Sequence, residues 1–128
     1  MNPKQAERIP TILISAFVLL SFQSMAQVSD IRVHDPVMIR QDGTYYLFCT
    51  GRGVSSFTSK DMKNWQRLDP VFAEAPQWAT RAIPGFRGSM WAPDISFHDG
   101  KYYLYYSVSA FGLNTSCIGL ATNTTLYP

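Results

Sequence analysis

Two aspartates away from the obvious turns raise the first chemical question. Asp35 lies in His34-Asp35-Pro36 and Asp94 in Trp91-Ala92-Pro93-Asp94-Ile95, each at the start of an apolar, strand-like run. Carboxylates facing one pocket can divide general acid and base work between them. An aspartate beside a proline also caps turns by bonding its own backbone, which is the structural reading of either one alone. Their matched placement favours the pair. Asp42, Asp61 and Asp99 sit in turn sequences and are read as turn residues.

Aromatic residues gather around the second aspartate. Trp78, Phe86 and Trp91 fall in the stretch 78–94, and Phe111 follows in Ser109-Ala-Phe-Gly-Leu-Asn114. Flat apolar faces beside amides and hydroxyls suit the C–H faces and hydroxyls of sugars. Trp65 and the tyrosine pairs read instead as core. The candidate substrate-binding residues are Trp91, Phe111, Asn114 and His34. Other chemistries find little support. His34 and His98 are the only histidines and lie far apart, so neither a zinc motif nor a Ser-His-Asp set can be assembled. Cys49 and Cys117 sit in apolar runs without metal-ligand spacing and read as buried free thiols, with pairing left open.

The elements that must hold these groups are strands. Val33, Asp35, Val37 and Ile39 alternate with His34, Pro36, Met38 and Arg40, then Asp42-Gly43 signals a two-residue hairpin into Thr44-Tyr-Tyr-Leu-Phe-Cys-Thr50. The same grammar returns in 92–97, Asp99-Gly100 and Lys101-Tyr-Tyr-Leu-Tyr-Tyr-Ser107. An offset of 57 residues, from Asp42 to Asp99, also matches Pro36 to Pro93 and Thr50 to Ser107. Third strands fit 54–59 and 116–121, and a short fourth fits 66–68. At this offset Asp94 corresponds to position 37, two residues beyond Asp35. Two residues are one side-chain period of a strand, so the two carboxylates are expected to project the same way from equivalent inner strands.

Repeated units of several short strands mark a β-propeller. The expected class is all-β: blade 1 spans about 30–70, an insert 70–88 and blade 2 about 89–128. Blades bury their faces against neighbours, and about three or more repeats make a stable stack, so the chain reads as the first two blades of a longer propeller. Ahead of them, Lys4 and Arg8 precede the apolar run 11–22, and Ser24-Met25-Ala26 precedes Gln27. Residues 1–26 therefore read as a secretory signal peptide and 27–128 as the exported part, secreted or periplasmic. Twelve apolar residues fall short of the ~20 that span a bilayer, so no membrane association is expected after cleavage. With 11 basic against 9 acidic residues and no basic run, nucleic acid is not an expected partner.

The motifs together resemble glycoside hydrolase family 43, five-bladed propellers that include arabinanases, arabinofuranosidases and β-xylosidases. The early His34-Asp35-Pro36, the Asp42–Phe48 hairpin and Ser59-x-Asp61-x-x-Asn64-Trp65 fit. Pro84-Gly85-x-x-Gly88-x-x-Trp91-Ala92-Pro93-Asp94-Ile95 and Phe111-Gly112-x-Asn114-x-Ser116-x-Ile118-Gly119-Leu120-Ala121 are more specific, and resemble the endo-acting 1,5-α-L-arabinanases. The resemblance implies an inverting hydrolase acting on arabinan, with Asp35 as general base and Asp94 as the aspartate that orients the general acid and raises its pKa. It places that acid, a Glu on a later blade, and the histidine of an axial structural metal ion after residue 128. Glu74, the only glutamate after residue 26, lies in the insert and is not assigned. The chain 27–128 alone is then expected to be inactive. An exo-acting arabinofuranosidase or xylosidase, or a non-catalytic sugar-binding propeller, are the alternatives.

Overall fold

In the computed structural model residues 31–128 are described; the expected signal peptide lies outside them. Two antiparallel strands, β1 (Val37–Gln41) and β2 (Thr44–Cys49), meet at Asp42-Gly43 with Gln41 opposite Thr44. Both turn residues have positive φ, 47° and 75°, as a type I′ turn requires, and that twist matches the strands on either side. After β2 the chain makes β3 (Gly51–Arg52), then β4 (Ser55–Ser59) and β5 (Gln66–Arg67). The first sheet runs β1-β2-β4-β5. The second contains β6 (Ser89–His98), β7 (Lys101–Ser109) and β8 (Ser116–Asn123), with β3 on its edge, in the order β3-β6-β7-β8. Its hairpin turns at Asp99-Gly100, φ 46° and 73°, with His98 opposite Lys101.

The sequence does not signal the role of β3. Gly51 pairs with Met90 and Arg52 with Ser89, so one chain segment passes directly from the first sheet to the edge of the second. Gly53 (φ 70°) continues the link. Its N–H donates to the Gly88 carbonyl and its own carbonyl accepts from Phe72 N–H. A side chain at Gly53 would run into the Phe72 carbonyl. Val54, expected to open a strand, is instead fully buried at φ 60°, and the strand starts at Ser55. A β-branched residue there is strained, and neighbours on both sides must hold it.

The main core lies between the sheets. Tyr46 and Phe48 from β2 meet Tyr102, Leu104, Tyr106 and Val108 from β7, with Val54 and Met90 beside them. Burying each such side chain contributes about 1.5–3 kcal/mol before conformational entropy is charged against it. The insert supplies a short helix, α1 (Gln77–Ala82), whose Ala79 joins this core together with Ile83 and Phe86. Phe86 is therefore a core residue and not part of a sugar surface. Trp78 packs on Tyr106, ring centroids 6.2 Å apart, over Gly119, where any Cβ would strike both rings.

The opposite faces of the two sheets differ. On the first, Leu47, Cys49 and Phe57 form a second buried cluster with Ile31 and Trp65 against it, so β2 is apolar on both sides. On the second, Tyr105, Leu120 and Ile118 are exposed, Ile118 to 76%. Cys49 is buried and free, and burial pushes its thiol pKa up; Cys117 is free and half-buried. Asp61 closes its turn as expected. Its carboxylate accepts the N–H groups of Lys63 and Asn64, which hold its pKa well below the usual carboxylate range.

Candidate active site at two matched bulges

The 57-residue offset extends into the hydrogen-bond register, and there it explains the aspartates. In the second sheet Trp91 pairs with Ser107 and Asp94 with Tyr105, leaving Ala92 and Pro93 opposite Tyr106 alone. In the first, Thr50 N–H donates to the His34 carbonyl and Val37 pairs with Phe48, leaving Asp35 and Pro36 opposite Cys49. These are equivalent β-bulges, two residues against one. Asp35 and Ala92 occupy the same position with nearly the same φ, 48° and 45°. Both precede proline, where an extended backbone is the rule, so both bulges hold strain at the same point.

This removes the basis for the expected relation between the two carboxylates. Strand alternation does not carry through a bulge whose first residue is left-handed, so the two-residue offset no longer implies that Asp35 and Asp94 share one face. Asp94 is the first ladder residue after its bulge, the counterpart of Val37, whereas Asp35 sits within its own. The hydroxyl of Thr50 links the two regions. Thr50 Oγ1 donates to Asp35 Oδ2 at 2.9 Å and accepts from Ala92 N–H at 3.0 Å. The bulge makes this contact available, because it removes the Ala92 N–H from the strand ladder.

Asp35 is half-exposed, and both of its contacts fall on one oxygen. Besides Thr50, His34 Nδ1 lies 2.8 Å from Oδ2. Oδ1 takes no hydrogen bond among the described residues, and with the side chain 41% exposed a water molecule can reach it. His34, a candidate for sugar contact, thus lies against the carboxylate with its ring mostly exposed. The Asp94 carboxylate is exposed and accepts the Ile95 N–H on Oδ1 at 3.0 Å, the turn-like contact of a structural aspartate, with Oδ2 open.

The aromatic candidates divide. Trp91 and Phe111 meet edge to face at 5.5 Å and line an open cleft of about 500 Å³ with Gly85, Arg87, Ser89, Ser109, Ala110 and Leu113. Phe111 is 88% exposed, an unusual state for a phenylalanine serving only as filler. Trp91 directly precedes Ala92, so this cleft adjoins the Thr50 bridge. Asn114 lies exposed in the loop after Leu113, outside the cleft lining. Glu74 lines a separate small pocket with Arg52, Gly53, Phe72 and Gly88. Among the described residues no group of three or more His, Cys, Asp or Glu could hold a metal ion, so the axial metal implied by the resemblance has no donor set among them and enters no step below.

Sequence reasoning missed Thr50. The available signal was the match of Thr50 to Ser107, a hydroxyl kept at the end of an otherwise apolar strand.

Comparison with known proteins bears on the whole arrangement. The model of glycosyl hydrolases family 43 matches residues 27–126. The chain is 50% identical over 115 residues to the extracellular exo-α-(1→5)-L-arabinofuranosidase of Cellvibrio japonicus (strain Ueda107), covering 90% of this chain and 33% of that protein. It is 43% identical over 98 residues to the extracellular endo-α-(1→5)-L-arabinanase 1 of Bacillus subtilis (strain 168), covering 73% of this chain and 30% of that protein. Among solved structures, the Cellvibrio cellulosa α-L-arabinanase complexed with arabinohexaose superposes with a TM-score of 0.73 at 56% identity, over 77% of this chain and 31% of that one. The fold is that of the five-bladed β-propeller family, and the chain spans about a third of the length of the relatives it matches.

Proposed function

The chain belongs to glycosyl hydrolases family 43, and on that premise we propose that the protein is an exported hydrolase of α-1,5-linked arabinan, with Asp35 as the general base of an inverting reaction. The observation that carries this reading is the state of Asp35. A strained bulge fixes its backbone, a threonine hydroxyl and a histidine lie against Oδ2, and Oδ1 takes no hydrogen bond among the described residues. In an inverting glycosidase the base deprotonates a water on the face opposite the leaving group, while a separate acid about 6.5–9.5 Å away protonates the glycosidic oxygen. The described residues supply the base side of this scheme. Glu74 lies in another pocket, and the resemblance to the family puts the acid on a later blade.

Trp91 and Phe111 offer the aromatic surface for arabinose rings, with His34 at the rim beside the base. The open Asp94 Oδ2 is suited to accept a sugar hydroxyl. Export is supported by the leader-like sequence of residues 1–26 and by relatives named as extracellular. The motif strings favour cleavage of internal bonds. Release from chain ends is a second reading, favoured by the exo-acting name of the relative at 50% identity.

The test is to incubate the full-length protein with linear α-1,5-arabinan, following anomeric configuration by proton NMR and product size by chromatography. The expected first product is the β-anomer. Early mixed oligosaccharides would assign internal cleavage, and a single short product from the start would assign chain-end release. No sugar release, or a retained α-anomer, would overturn the proposal.

A further inference from the structure

We infer that Thr50 is the positioning residue of the base: its hydroxyl, oriented by the Ala92 amide of the neighbouring sheet, fixes the Asp35 carboxylate. This rests on the reading of Asp35 as general base. A threonine hydroxyl has one proton and two lone pairs. A backbone N–H can only donate, so at Ala92 the hydroxyl must accept. Its single proton is then committed to Asp35 Oδ2, at 2.9 Å. A lone surface threonine would rotate and divide its proton among neighbours. Here the two contacts leave one orientation.

The main chain supports the same geometry. Thr50 N–H pairs with the His34 carbonyl at 3.0 Å, which places the hydroxyl beside the residue that follows His34. The strained φ of 45° at Ala92 serves this contact as well, since nothing about an alanine methyl calls for a left-handed backbone. The bulge in the second sheet carries no carboxylate of its own, and it delivers the amide that orients the hydroxyl next to the carboxylate of the first. Thr50 is half-buried and belongs to neither buried core cluster, so its replacement does not open a cavity in the core.

The test compares Thr50→Val, which keeps the shape and removes the hydroxyl, with Thr50→Ser, which keeps the hydroxyl, in the full-length protein assayed on linear arabinan. Loss of one hydrogen bond to a charged group should lower kcat about 10–100-fold for the valine variant, with KM within about twofold. Serine should recover kcat to within about threefold, and adding Thr50→Val to Asp35→Asn should cause no further loss beyond about threefold, because both act through one group. Thr50→Ala, which introduces no new bulk, should repeat the valine result if the valine variant folds poorly. Normal kcat with a lowered melting temperature in the valine or alanine variant, or a serine variant as slow as the valine one, would overturn the inference. Near-normal turnover by Asp35→Asn alone would instead sink the base reading on which it rests.

Discussion

The bulge of the first sheet carries Asp35, and the same bulge in the second carries Ala92, with φ values that differ by only a few degrees. Each precedes a proline, each lies opposite a single residue of its hairpin partner, and each leaves the strand ladder at the same register. Strain of this kind is often assigned to catalysis, but the second bulge holds it with no reactive side chain. The kink is therefore a property of the repeated scaffold, and the carboxylate is a local addition to it. The two bulges also have separate roles. One presents an acid, and the other presents the amide that orients the hydroxyl beside that acid.

Exchanging the contents of the bulges tests this division. Asp35→Asn, which keeps the shape of the first bulge but removes its basic oxygen, should reduce kcat on arabinan about 10²–10⁴-fold while binding persists. A near-normal rate with a lower melting temperature would make the two bulges equivalent after all. A smaller effect is expected at the residue that follows the second bulge. Asp94→Asn keeps an oxygen for the Ile95 amide but loses the charge, so kcat/KM should fall about 10–100-fold if a sugar hydroxyl bonds there. The pH profile separates the two roles: an alkaline limb displaced downward would assign Asp94 the charge that holds up the pKa of the acid, and an unmoved limb would leave only the sugar contact. The smallest effect should come from Ala92→Gly. Glycine removes the penalty of a left-handed alanine and keeps the N–H, so stability should rise by a few tenths to about 1 kcal/mol in urea unfolding. A loss of stability would mean that φ at Ala92 is not strained.

What could be read in the chain follows from how local its causes are. Asp42-Gly43 and Asp99-Gly100 announce their turns because both residues of each pair must take positive φ, and the strands around them alternate cleanly. Trp65 as core and Asp61 as a turn residue were legible for the same reason. The bulges were not. A residue before proline is normally extended, and the left-handed turn at Asp35 and Ala92 is imposed by sheet packing. Strand alternation, which would pair Asp35 with Asp94, breaks at that point. Phe86 reads in the sequence as one of the aromatics gathered around Asp94, until α1 and Ile83 are seen to carry it into the core. The site's cleft was half legible: Trp91 and Phe111 meet as their positions suggested, and Asn114 stands apart from them.

The Thr50–Ala92 contact joins residues 42 positions apart. At about 5–20 residues per second of synthesis, Ala92 is made roughly 2–8 s after Thr50. A hairpin of this size closes in about 1–10 μs, so Asp35, Thr50 and their turn can be in place long before the amide that orients them exists. Until then the hydroxyl lacks the amide that orients it, and the carboxylate has only His34 and an unoriented hydroxyl beside it. The carboxylate and the amide that orients its hydroxyl neighbour come from different sheets, so the geometry around Asp35 is complete only once the second sheet has docked.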